Sequence, residues 1–92
     1  MASIKHIVKR EGHTETFDER KTYASVYSAC LAVNTPTGSA ELVAQHVVQR
    51  VKTWLSEKTE VTAGDIKRQV VKHLKVYNPD AAYLFETHHH LS

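Results

Sequence analysis

Three cations near the start of the chain could do chemistry: Lys9, Arg10 and Lys21. Lysine offers a compact point charge, and arginine can fork onto two oxygens at once. Lys9 and Arg10 come just before a turn signal at Glu11-Gly12-His13. Lys21 falls about one helical turn after the next short segment ends, so folding can bring it close to the other two. A helix start also offers free backbone N–H groups and a partial positive charge. Cations gathered there suit a polyphosphate. Cations on a strand edge or a first helical turn can equally face solvent and bind nothing, and spacing alone leaves both readings open.

The surrounding pattern shows what must position them. Ile4 to Arg10 interleaves Ile4, Ile7 and Val8 with polar residues and reads as a strand. Gly12 permits a tight turn, and Thr14 to Phe17 reads as the return strand of a β-hairpin. A hairpin by itself is marginal in water, so it must pack on something else. Asp18 is placed to cap a first helix, whose apolar stripe is Tyr23, Val26, Tyr27, Cys30 and Val33. The run from Asn34 through Pro36 to Gly38 breaks it. A second helix is expected from Ser39 to Ser56, with Val43, Val47, Val51 and Trp54 inward, widened by Leu42, Val48 and Leu55. Glu57 to Val61 reads as a connector. Thr62 heads a third helix, with Asp65 completing a near-miss capping box and Ile66, Val70, His73 or Leu74, and Tyr77 on the apolar face. Asn78-Pro79 ends that helix and opens a last one carrying Ala82, Tyr83 and Phe85. The expected class is mainly α with a small β-hairpin (α+β). One domain spans 1–92: a hairpin over 1–17, four helices over 18–87 and a frayed tail over 88–92.

Several stretches resemble the ATP-cone family. Val8-Lys9-Arg10-Glu11-Gly12, then Glu15-Thr16-Phe17-Asp18 and Lys21, are similar to its opening signature. Val61-Thr62 with Asp65-Ile66 resembles the family's entry to its third helix, and Ala82-Tyr83-Leu84 its last helix. The likeness runs in order over nearly the whole chain. It implies an N-terminal hairpin covering a four-helix bundle that binds ATP or dATP, with Mg²⁺ on the phosphates, and acts as an allosteric module. Such modules occur on ribonucleotide reductase catalytic subunits, on the transcriptional repressor of reductase genes and on some kinases. By matched position, the resemblance puts Lys9, Arg10 and Lys21 on the phosphates and Val8 in the adenine pocket. It puts Glu15 and Thr62 near the base and ribose, and Lys67 on a third-helix position facing the nucleotide. The implied output is a homo-oligomer or a separate protein partner. Three positions depart from the pattern. Glu11 stands for the commoner Asp, Thr22 follows Lys21 in place of Ile, and no Arg or Lys follows Tyr83. The third departure keeps open a cone that has lost its nucleotide and works as a protein-interaction domain.

Composition narrows the classes. The chain has 92 residues, 41% hydrophobic and 24% charged, with net charge +2 and pI about 8.8. Its length allows one modest core. Nothing near the start resembles a signal peptide, and no run is long enough to span a membrane, so a cytoplasmic setting is expected. Cys30 is the only cysteine, so no internal disulfide or four-cysteine zinc site can form. Its place in an apolar stripe reads as an inert buried thiol. His88, His89 and His90 are adjacent and cannot easily share one ion on a helix, and they read as tail or cloning remnant. His46, His73 and Trp54 read as packing or rim residues. No nucleophile–base arrangement or Walker-type loop is present, so no enzyme is expected. The mild charge permits an anionic ligand but does not by itself argue for nucleic acid, which is not the expected partner. Lys67, Arg68, Lys72 and Lys75 on the third helix nevertheless keep a small nucleic-acid binder as the second alternative.

Overall fold

A computed structural model describes residues 6–8 and 14–87 of the chain. The expected turn at Glu11-Gly12-His13, the cations Lys9 and Arg10, and the tail 88–92 lie outside the described residues. The rest is mainly helical, as the sequence pattern demands. In order it runs β1 (His6–Val8), β2 (Thr14–Thr16), α1 (Glu19–Ala32), α2 (Thr37–Leu55), β3 (Val61–Thr62), α3 (Ala63–Tyr77) and α4 (Pro79–Thr87).

Local chemistry accounts for most boundaries. Asp18 is extended, and its carboxylate accepts from the N–H groups of Arg20 and Lys21, so α1 starts there. At the other end Asn34 takes φ 65, the left-handed region that Asn tolerates better than most residues. The Thr35 N–H then reaches the Cys30 carbonyl at 3.0 Å, and the Asn34 N–H reaches that of Leu31 at 3.0 Å. These two bonds form a Schellman closure that satisfies carbonyls the helix leaves open. Only residues 33–36 separate α1 from α2. Gly38 lies inside α2, which begins at Thr37 rather than the expected Ser39, because the Pro36 carbonyl already accepts from Ala40 at 2.8 Å.

Each helix packs against two others: α1 on α2 and α4, and α3 on α2 and α4. Val26, Cys30, Val47, Val51, Val70 and Leu74 fill the centre and are fully buried. Each of the larger aliphatic side chains there contributes roughly 1.5–3 kcal/mol by leaving water. The inner stripe of α2 differs from expectation. Ala40 and Ala44 are fully buried, whereas Leu42 is 56% exposed. The repeat 40, 44, 47, 51, 55 selects the face, and Leu42 falls outside it. Between His73 and Leu74, it is Leu74 that enters the core.

β1 pairs antiparallel with β2, and it also pairs parallel with β3, giving the order β2-β1-β3. Here the expectation of a plain connector through Val61 is corrected. Val61 and Thr62 are both β-branched and suit extended backbone, and Val61 is buried against the core. A parallel pair needs a long crossover, which α1 and α2 supply. The strands meet the helices through β3 on α3 and through half-buried Phe17.

Asn78 joins the two ends of the structure. Its side-chain carbonyl accepts from the Ala81 N–H at 3.1 Å and caps α4. Its amide donates to the Thr35 hydroxyl at 2.9 Å and lies 3.9 Å from the Cys30 sulfur. One side chain therefore starts α4 and ties it to the α1–α2 turn. Replacing Asn78 by Ala should destabilise the domain by about 1–3 kcal/mol, from the lost cap and the abandoned Thr35 hydroxyl. Asn78→Asp keeps the capping acceptor and should recover about half of that; urea unfolding of both variants checks it.

The α3 capping box makes a second prediction. The Asp65 carboxyl is held below its ordinary value of 3.8 by the Thr62 backbone N–H first, with Arg68 adding to the effect. A depressed carboxyl pKa stabilises the fold above the unfolded value, and the benefit is lost as pH falls through the folded one. Asp65→Asn should therefore cost stability at pH 7, and the gap to the native protein should close below about pH 4.

Candidate functional site

The first turn of α1 is built around Asp18. Its Oδ1 takes the Arg20 N–H at 3.0 Å and the Lys21 N–H at 3.2 Å. The Thr22 hydroxyl turns back to the Asp18 carbonyl at 3.3 Å. The free N–H groups expected here for an anion are thus largely taken by a carboxylate, which corrects that part of the sequence reading. What this turn offers an anion is the exposed Lys21 side chain. Beside it, Glu19 pairs with Lys52 at 3.3 Å, tying the start of α1 to the last turn of α2.

The start of α3 is built in the same way. The Thr62 N–H donates to the Asp65 carboxylate at 3.1 Å, and the Asp65 N–H donates to the Thr62 hydroxyl at 3.0 Å. Asp65 stands in full for the Glu or Gln of the usual box. Arg68 bridges the same carboxylate. The Thr62 hydroxyl oxygen is therefore engaged as an acceptor, and its O–H remains for a further partner. Lys67, five residues beyond Thr62, is half-buried.

The sheet places these two starts. Val8 is the register partner of Thr62, and Glu15 is that of Ile7. Val8, Glu15 and Thr62 therefore lie on three adjacent strands. Thr16 pairs with His6, so the chain leaves for α1 at the His6 end of β1, while α3 leaves at the Val8 end. The two ends are about 7 Å apart along the strand. Lys9 and Arg10 follow Val8 directly in sequence and lie outside the described residues.

The remaining candidates fall as follows. Tyr83 is 71% exposed, and α4 carries no cation in its last turn. The His46 ring stacks on Tyr77 with centroids 5.3 Å apart. Burial, then the charges of Lys72 and Arg50, lower the His73 pKa. Burial raises the Cys30 thiol, partly offset by Asn78. Trp54 is half-buried under the Lys58 ammonium, 5.6 Å from the ring centroid. Among the described residues no group of three His, Cys, Asp or Glu is placed to hold a metal ion, and no helix is long and apolar enough to cross a membrane.

The pairing of Val8 with Thr62 is the feature that the sequence reading missed. Two consecutive β-branched residues just ahead of the capping box were the available signal. In comparison with known proteins, the family model described as ATP cone domain matches residues 5–89. No curated protein and no solved structure matches the chain. The match begins just ahead of β1 and ends just past α4, so it takes in every strand and helix described above. The chain belongs to the ATP-cone domain family.

Proposed function

We propose that this domain is a nucleotide-sensing regulatory module that binds ATP or dATP. The observation that carries the reading is the register of β1 with β3, which sets Val8 beside Thr62. Lys9 and Arg10 follow Val8 directly in sequence. In this reading Lys9, Arg10 and Lys21 hold the phosphates, and Val8 lines the adenine pocket. Glu15 and the remaining O–H of Thr62 serve the base and ribose, and Lys67 faces the nucleotide.

The donor set suits a polyphosphate. Asp18 already caps α1 and the Thr62–Asp65 box closes α3, so affinity must come from ammonium and guanidinium groups, each worth about 1.5–3 kcal/mol in a charged hydrogen bond. Mg²⁺ would arrive on the nucleotide's phosphates and neutralise part of their charge. Occupancy would be passed to an oligomeric equilibrium of this chain or to a separate protein, and it can shift that equilibrium only as far as the nucleotide prefers one state. A link to ribonucleotide reduction follows from the resemblance. The domain itself performs no catalysis.

A second reading rests on α4. With no cation after Tyr83, the cone can have kept its fold and become a protein-interaction domain without nucleotide. One experiment separates the two. Calorimetric titration with Mg-ATP and Mg-dATP should show saturable binding by the native domain. The Lys9→Gln/Lys21→Gln variant should bind about 100-fold or more weakly while its unfolding midpoint stays put. A folded native domain that takes up neither nucleotide at millimolar concentration would instead establish the second reading.

A further inference from the structure

The charge of this domain is unevenly distributed. From Leu42 to Leu55, α2 carries no carboxylate, and from Ile66 to Tyr77, α3 carries none. At about 100° per residue, Arg68, Lys72 and Lys75 fall within an arc of about 60° on α3. All three are exposed, and their arc points away from the buried Ile66, Val70 and Leu74. Seven residue steps along the helix spread this row over about 10 Å.

α2 extends the same surface. It packs along α3, with His46 stacked on Tyr77. Arg50 follows His46 by one helical turn and so lies on the same side of α2 as that ring. Gln45, Gln49 and Thr53 follow one another at four-residue intervals on α2, and all are exposed. Asp65 is the one acid of α3, and it is engaged by the Thr62 N–H and by Arg68. Glu57 and Glu60 belong to the connection at the Arg68 end. Among the described residues, Arg50, Lys72 and Lys75 are exposed cations with no carboxylate in salt-bridge contact.

Lys, Arg, Gln and Thr without intervening acids are the side chains that contact phosphate oxygens of nucleic acids. Each strand of a duplex carries one phosphate per about 3.4 Å of helix axis, so cations spread over a surface of this extent meet more than one of them. We propose that the α2–α3 face docks on the phosphate backbone of duplex nucleic acid, without base selection, through Arg50, Lys72 and Lys75. Lys72 lies ten residues beyond Thr62, about 15 Å along α3, so this face is separate from the nucleotide reading and does not rest on it.

The test is fluorescence anisotropy with a labelled DNA duplex of about 20 base pairs, between about 50 and 200 mM salt. The native domain should bind with a log–log salt slope of about −3, from about 0.9 per neutralised phosphate. Arg50→Gln/Lys72→Gln/Lys75→Gln should bind roughly ten-fold or more weakly at the lowest salt, with a slope shallower than about −1. All three side chains are exposed, so circular dichroism and the unfolding midpoint should be unchanged. Saturating Mg-ATP should leave the native affinity as it was. Four results would overturn the proposal: no binding at the lowest salt, full binding by the triple variant, displacement of the duplex by Mg-ATP, or equal competition by poly-glutamate. The third would move the contact to Lys9, Arg10 and Lys21. The fourth would make this a face for acidic protein segments.

Discussion

Thr62 carries two obligations, and the site depends on both being met by one extended residue. Its backbone, at φ −98 and ψ 163, continues β3 beside Val8. The same conformation is what an N-cap requires, and its hydroxyl closes the first turn of α3. Sheet and helix therefore share a corner that neither could hold alone. A two-residue strand is too short to persist by itself, and a helix start without a cap frays. The Val61 side chain, buried in the core, holds the corner down.

The two helix starts at this corner and opposite it each use an acid: Asp18 caps α1, and Asp65 answers the Thr62 hydroxyl in the box of α3. That choice favours the folded state before any ligand arrives, because an acid suits the positive end of a helix. It also sets the proposed site apart from loops that cradle phosphate with bare backbone N–H groups. In such loops the backbone geometry is the binding site. Here the caps are internal to the chain, and the proposed site leaves anion affinity to side chains such as exposed Lys21. Stability and binding are in this way assigned to different atoms.

Much of this was legible in the residues. The caps at Asp18, Thr62 and Asn78, the break at Asn34 to Pro36 and the buried positions 26, 30, 47, 51, 66 and 70 follow from local chemistry and helical period. What was not legible depends on distant partners. Leu42 looks as apolar as Val47, and only the packing of Ala40 and Ala44 shows which face won. Val61-Thr62 becomes a strand because β1 lies beside it, more than 50 residues away in sequence. The Asn78 amide reaches Thr35 across the domain, a contact no spacing rule predicts. For the candidate site, residue types and order were readable, whereas the proximity of Val8 and Thr62 required the fold.

Cys30 gives the domain a property of its own. The thiolate is the reactive form of cysteine, and this thiol is fully enclosed and pushed toward its protonated form by burial. Oxidants and alkylating reagents reach it only when α1 parts from its neighbours. The chain thus holds a single chemical counter of its own opening events, set at the centre of the core and next to the Asn78 tie. Each nucleotide or partner that holds the domain closed slows that counter, whichever surface it occupies.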